Sequence, residues 1–235
     1  MAQRINEFGQ PISEDVEGWV SCPRPPLTPL LGRYAHIVPL DAEAHLDDLY
    51  SAVSTDTGKM WTYLFNGPYT QKADFADYLK TSQTSTDPLF YAILDAQSGK
   101  ALGYASFLRI DPAMGVIEVG NIAMSPLLQK TRIATEAIYL MMAHAFDDLG
   151  YRRFEWKCDN LNGPSKKAAR RFGFAYDGVF PQAVIYKGRN RDTAWFSIID
   201  KDWPTIQAGY QAWLDPENFD ADGVQKTALV TRTIS

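Results

Sequence analysis

The sequence predicts an α+β fold in which a mixed, mostly antiparallel sheet of six to seven strands is flanked by helices. Two observations carry that expectation. Three strand-like runs follow one another at residues 89–94, 101–110 and 116–124, separated by the turn signals Ser98-Gly99-Lys100 and Asp111-Pro112, which reads as an antiparallel meander. Beyond Ser125-Pro126 the period then changes from two to about 3.6, because Ala134, Ile138, Met141, Ala145 and Leu149 fall on one helical face that ends at Gly150.

From the start of the chain, the cluster Pro23, Pro25, Pro26 and Pro29 forbids a regular helix and weakens any strand, so residues 1–30 read as an extended arm. The β-rich stretch 33–40 suits a first strand. Asp41 then caps a helix in which Leu46, Leu49 and Val53 recur at helical spacing. Aromatic residues are concentrated at 60–69 before the turn Asn66-Gly67-Pro68, and a second helix follows over 70–81. After the long helix come a short strand at 154–158, a short helix at 162–172 ending at Gly173, and strands at 174–180 and 193–199. A turn or two of amphipathic helix around Trp203 and Trp213 leads into a polar tail. The expected organisation is therefore an arm (1–30), one domain (31–200) and a C-terminal helix and tail (201–235).

Composition limits the function. With 46% hydrophobic and 13% aromatic residues the chain can bury a substantial core and is expected to fold as a soluble globular protein. A net charge of −5 without a long basic run argues against a nucleic-acid partner. Only Cys22 and Cys158 are present, far apart and in no metal or disulfide spacing, which fits free thiols in a reducing cytosol. No apolar leader or membrane-length apolar run is visible, so a cytoplasmic location away from membranes is expected. His36, His45 and His144 form no metal-ligand spacing, and no metal is assigned. Dinucleotide, Walker and serine-hydrolase glycine motifs are all absent.

The most informative stretch is EVGNIAMSPLLQKTRIATEAIYLMMAHAF, from Glu118 to Phe146, a strand that runs through a turn into the long helix. Such a turn presents unpaired N–H groups and the positive end of the helix dipole, a combination that binds phosphate. Within it, Gln129-Lys130-Thr131-Arg132-Ile133-Ala134 resembles the pyrophosphate loop of the GNAT superfamily of N-acetyltransferases, in its ribosomal-protein N-terminal acetyltransferase-like branch. The family pattern is Gln or Arg, two residues, Gly, one residue, then Gly or Ala. Glu118-Val119-Gly120, Ser125-Pro126, Gln129, Ala134 and Thr135-Glu136-Ala137 agree with it, whereas Arg132 stands where glycine is usual and removes that residue's freedom to adopt positive φ. A second block, Asn162 to Ser165 followed by Arg171-Phe172-Gly173-Phe174, resembles the family's Asn-x-x-Ser helix and its Gly-Phe end.

The resemblance implies a GNAT fold over about residues 33–200 and acetyl-CoA as co-substrate. It implies that the N–H groups of Lys130, Thr131, Arg132, Ile133, Ala134 and Thr135 hold the pyrophosphate, that Ile122, Ala123 and Met124 pair with the pantetheine arm as an added strand would, and that Asn162 and Ser165 contact pantetheine and the thioester sulfur. Many members place a tyrosine general acid where this chain has Ala169, which leaves Ser165 as the substitute. The residues themselves also allow a plainer account, with Asn162 as an N-cap and Ser165 as a first-turn residue.

Acetyl transfer needs a neutral amine and hence a base. Glu118 is the candidate, on a strand whose alternate positions Val116, Gly120 and Ile122 are apolar or small, and partial burial raises a carboxylate's pKa; a structural carboxylate paired to a neighbouring donor fits the same pattern. Trp61 and Tyr63, with Phe65 and Tyr69 nearby, fall in the connection between the first two helices, which forms one wall of the acceptor cleft in GNAT folds; aromatic core is the alternative. The expected activity is acetyl transfer from acetyl-CoA to a primary amine, a protein N-terminus or a small molecule, by direct attack in a ternary complex. The alternative is a non-catalytic acyl-CoA sensor, motivated by Arg132 and Ala169. A homodimer is compatible with both.

Overall fold

A computed structural model describes residues 4–232; the outermost residues of the expected arm and tail, 1–3 and 233–235, lie outside it. The strands are β1 (Arg4–Ile5), β2 (Pro11–Ile12), β3 (Leu30–Leu31), β4 (Ala35–Pro39), β5 (Leu89–Asp95), β6 (Ala101–Asp111), β7 (Val116–Met124), β8 (Arg153–Asp159), β9 (Ala175–Tyr186) and β10 (Arg189–Ile199). The helices are α1 (Ala42–Val53), α2 (Lys72–Gln83), α3 (Arg132–Ala143), α4 (Gly163–Arg171) and α5 (Trp203–Trp213). β1 and β2 form a small separate hairpin, and the other strands make one eight-stranded sheet in the order β3-β4-β5-β6-β7-β8-β10-β9. All its neighbours are antiparallel except β7 and β8. The eighth strand, beyond the expected seven, is the two-residue β3, which pairs with β4 through Leu30 and Leu31.

Local chemistry explains the helix starts. Asp41 Oδ1 accepts the N–H groups of Glu43 and Ala44, both at 2.9 Å, and Thr131 Oγ1 accepts the Ala134 N–H at 3.1 Å. α3 begins at Arg132 rather than just after the proline because Pro126 to Thr131 are spent in tight turns, with Leu128 and Gln129 N–H both bonded to the Ser125 carbonyl. It continues as a π-helical turn, His144–Asp148, and ends before Gly150 at φ 72°.

The sheet has two unlike faces. On one, α3 and α5 bury Ala137, Ile138, Met141, Ile206 and Tyr210 against Ile37, Tyr91, Ile93, Phe107, Ile117, Val119, Phe154 and Phe196. On the other, α1 and α2 bury Leu49, Val53, Phe75 and Leu79 against Phe90, Ala92 and Tyr104. Past β6 that second face carries charged residues instead of apolar ones. Glu136, on α3, is 5% exposed and accepts the N–H groups of Arg33, Tyr34 and Ala35, so it fixes the β3–β4 turn to the helix.

Residues 19–26 and Arg232 tie the flanking segments to the domain. Trp19 Nε1 donates to the Ala113 carbonyl at 2.8 Å, and the hydroxyls of Tyr151 and Tyr91 donate to the carbonyls of Pro23 and Pro26. At the other end Arg232 pairs with Asp202 at 2.9 Å and donates to the Gly173 carbonyl. Cys22 and Cys158 are buried free thiols.

Candidate active site

β7 and β8 pair in parallel only from Val116↔Arg153 to Val119↔Trp156. Beyond that point each strand stays bound to its outer neighbour alone, β7 to β6 as far as Met124↔Gly103 and β8 to β10 as far as Asp159↔Thr193. The two strands splay, and the inner edge of Gly120 to Met124 is left without a strand partner. A bulge in β7 accompanies the opening. Asn121 adopts φ 49°, and its Nδ2 donates to Ser106 Oγ at 2.9 Å while that hydroxyl donates to the Gly120 carbonyl at 3.1 Å. Asn is among the few residues that tolerate this conformation, and bulges re-aim strands.

The turn that follows β7 faces this opening from the head of α3. Gln129 Nε2 donates to the Met124 carbonyl at 2.9 Å and ties the turn to the strand end. Within the expected pyrophosphate loop the N–H groups of Thr131, Ala134 and Thr135 are already bonded inside the turn, whereas those of Lys130, Arg132 and Ile133 have no acceptor among the described residues. Lys130 is the loop residue with positive φ, at 63°; Arg132 is the first residue of α3 and requires no glycine there. The conformational objection to Arg132 is thereby removed. Its guanidinium carbon lies 4.4 Å from the centre of the Tyr34 ring and 5.4 Å from that of Phe219. It lines a recess of about 380 Å³ with Arg33, Tyr34, Asp95, Gln97 and Ile133, toward the β4–β5 end of the sheet rather than at the splay.

Across the opening, Asn162 caps α4 by accepting the Ser165 N–H at 3.1 Å. Ser165 Oγ accepts the Trp156 indole N–H at 2.9 Å, and its own proton is directed to the Cys158 sulfur. Burial pushes the nearby Cys158 thiol up. Ala169 is fully buried in the core, so the position of the missing tyrosine faces inward here.

Glu118 projects from β7 one residue before the pairing ends and is 5% exposed. Its Oε2 lies 2.9 Å from Lys157 Nζ and 3.0 Å from Arg109 Nε, although these ion-pair approaches lack good hydrogen-bond angles. Lys157 Nζ in turn is 2.7 Å from Glu155 Oε2. Burial raises the Glu118 pKa above the ordinary carboxylate value, against the opposing pull of Lys157 and then Arg109. Gly120 gives this carboxylate room: a Cβ there would stand 3.4 Å from Oε1 and 2.9 Å from the Leu108 side chain.

The two acceptor candidates diverge. Tyr63 is half-buried, and its hydroxyl donates to the Leu161 carbonyl at 3.2 Å, next to Asn162. Trp61 takes the core alternative that the sequence also allowed: the residue is 3% exposed and its ring packs edge-on against Tyr69 at 5.3 Å. What it turns toward the cleft is its carbonyl, which accepts Lys187 Nζ at 2.8 Å. Lys187 sits at the tip of the β9–β10 hairpin, and with Arg189 it fastens that hairpin to the α1–α2 connection. Sequence reasoning ended the two strands short, at 180 and 193. The signal passed over was Lys187-Gly188, whose φ values of 49° and 70° make the tight turn.

The chain matches the family model described as the acetyltransferase (GNAT) domain over residues 36–175. No curated protein matches it significantly. Among solved structures, a GCN5-related N-acetyltransferase from Brucella melitensis is 48% identical, with a TM-score of 0.89 over 91% of this chain and 97% of that one. A probable GNAT-family acetyltransferase from Chromobacterium violaceum is 37% identical, with a TM-score of 0.77 over 83% of this chain and 98% of that one. An acetyl transfer enzyme from Salmonella typhimurium, which modifies the N-terminal serine of a 50S ribosomal subunit protein, shares the fold at 21% identity, with a TM-score of 0.61 over 72% of this chain and 96% of that one.

Proposed function

Because the chain belongs to the GNAT acetyltransferase family, whose members transfer acetyl groups from acetyl-CoA, we propose that it acetylates a primary amine by direct attack within a ternary complex. The observation that carries this reading is the splay of β7 from β8 beyond Val119↔Trp156, directly ahead of a turn and helix start that together keep three N–H groups free of acceptors among the described residues. The unpaired inner edge of Gly120 to Met124 suits an extended amide-bearing arm added as a strand, and the N–H groups of Lys130, Arg132 and Ile133 suit a pyrophosphate.

The remaining roles follow from chemistry. Glu118, with its raised pKa, accepts the proton that the ammonium must lose before attack, directly or through one water. The Ser165 hydroxyl, turned from Cys158, serves the departing sulfur, a role of smaller weight because a thiol of pKa near about 8.5 already leaves tolerably. Asn162 and Tyr63 line the entrance, with Trp61 behind them. The acceptor is a protein N-terminus or a small-molecule amine; the fold shared with the Salmonella enzyme favours looking first at N-termini. No helix among the described residues is long and apolar enough to cross a membrane, and a cytoplasmic enzyme is the working assumption.

The experiment is acetyl transfer to a broad amine panel by the wild-type chain and Glu118→Gln, with acetyl-CoA affinity measured alongside. The expected outcome is a fall in kcat of about 10²- to 10⁴-fold with affinity for acetyl-CoA retained. Tight acetyl-CoA binding with no transfer to any amine would favour the alternative, a non-catalytic acyl-CoA sensor, for which the engagement of Glu118 by Lys157 and Arg109 is the specific motive.

A further inference from the structure

β10 carries a row of polar groups that acetyl transfer does not use. On the face it shares with Glu155 and Lys157, the alternate residues Arg191, Thr193 and Trp195 each keep a buried polar atom (Nε, Oγ1 and Nε1) without a hydrogen-bond partner among the described residues. Arg191 differs from the other two in carrying a charge. It is 7% exposed and forms no ion pair among the described residues; its Nε is buried without an acceptor, while the Nη groups are not closed off in the same way.

The carboxylates around it are otherwise engaged. Asp159, at the end of the neighbouring strand, accepts the Tyr186 hydroxyl at 2.7 Å and the Leu161 N–H at 2.8 Å. Asp192 accepts the Gln182 N–H and the Asn190 amide. What surrounds the guanidinium is aromatic, with its carbon 5.3 Å from the centre of the Phe65 ring and 5.9 Å from that of Tyr186. Aromatic faces offset only part of the cost of burying a cation. The position is also telling, because Phe65 belongs to the α1–α2 connection, Tyr186 to the hairpin that closes on it, and Asp159 to the splayed end of β8.

The geometry points to Arg191 as the receptor for a carboxylate carried by the amine acceptor, so that the substrate class is an amino acid or a peptide whose first residue is acidic. This rests on the acetyl-transfer reading above. A guanidinium offers a planar fork of donors that matches a carboxylate in two parallel bonds, and such a partner supplies the missing counter-charge. Phe65 and Tyr186 flank the guanidinium.

The test uses the CoA-saturated protein and reads melting temperature and affinity with product pairs. N-acetyl amino acids are compared with their C-terminal amides, and N-acetyl dipeptide amides beginning with Asp or Glu are compared with those beginning with Asn or Gln. In the wild type the carboxylate member of one pair is expected to bind at least about tenfold more tightly. Arg191→Gln and Arg191→Met lose that preference, Arg191→Lys keeps part of it, and acetyl-CoA affinity stays unchanged in all three. The first set of pairs reports an α-carboxylate and the second a side-chain carboxylate. A melting temperature of unliganded Arg191→Met well below that of the wild type would assign the guanidinium to its aromatic neighbours and overturn the inference. Equal binding of both members in both sets, selectivity that survives Arg191→Gln, or a loss of acetyl-CoA affinity would each do the same. Carboxylate-selective product binding without turnover of the matching free amines would sink the transfer reading and leave the assignment of Arg191 standing.

Discussion

Glu118 sits in a chain of alternating charges that crosses the open face of the sheet. Arg109 and Lys157 flank it, Lys157 also reaches Glu155, Arg153 Nε lies 2.7 Å from Glu155 Oε1, and Arg153 Nη2 lies 2.6 Å from Asp177 Oδ2. Lys157 Nζ lies 3.6 Å from the centre of the Trp195 ring and its side chain is only 3% exposed, so this cation is fixed rather than mobile. Burial lifts the Glu118 pKa, Lys157 is the first opposing influence, and Glu155 pushes it up. The sign of a test follows. Replacing Lys157 with Met removes the strongest downward pull and leaves Glu118 facing Glu155, so the acid limb of kcat/KM moves to higher pH than in the wild type. Measured with one acceptor amine throughout, the shift belongs to the enzyme. The variant also loses stability as pH rises through the raised pKa, because the unfolded chain releases that proton earlier than the folded one. A limb that stays in place or moves down would exclude Glu118 as the titrating base.

At the scale of elements, what was legible in the sequence was local. Leu46, Leu49 and Val53 announced α1 and Asp41 its start, while the Asn162 to Ser165 block announced α4, because capping and helical period act over a few residues. The strand over 116–124 was also legible, but its bulge was not, since that depends on Ser106 of the neighbouring strand standing opposite Asn121. For the same reason Arg132 looked like a defect in a glycine motif, whereas the left-handed turn falls on Lys130. If the bulge is what bends β7 away from β8, its two supports are separable. Asn121→Gly keeps the backbone conformation and loses one side-chain hydrogen bond. Asn121→Val puts a β-branched residue at positive φ and is expected to cost about 1–3 kcal/mol. Thermal melts should rank wild type, Gly and Val in falling order, with acetyl-CoA affinity falling in the same order. A valine variant that binds acetyl-CoA as tightly as the wild type would separate the splay from the bulge.

At the scale of the whole molecule the proposed acceptor side of the cleft is assembled by contacts between segments 98 to 127 residues apart, which no local pattern encodes. Lys187 Nζ bonds the carbonyls of Trp61 at 2.8 Å and Asn66 at 2.9 Å, Arg189 bonds that of Thr62 at 2.7 Å, and the Tyr63 hydroxyl bonds that of Leu161. Of the two readings open for Trp61, its ring takes the core one, under α1 and α2, while its carbonyl holds the hairpin. Burial, and then the neighbouring Arg189, lowers the pKa of Lys187. Replacing Lys187 with Met frees the hairpin tip from the α1–α2 connection without touching the α3 turn or the inner edge of β7. The expected result is a rise in KM for the acceptor of about tenfold, the order of one or two hydrogen bonds to a charged group. Affinity for acetyl-CoA should stay at the wild-type value. Lys201→Met, which removes an exposed ion pair with Glu14 far along the chain, serves as the control and should change neither. Should Lys187→Met instead weaken acetyl-CoA binding and spare the acceptor KM, the hairpin would belong to the co-substrate side of the cleft, and the acceptor would have to enter elsewhere.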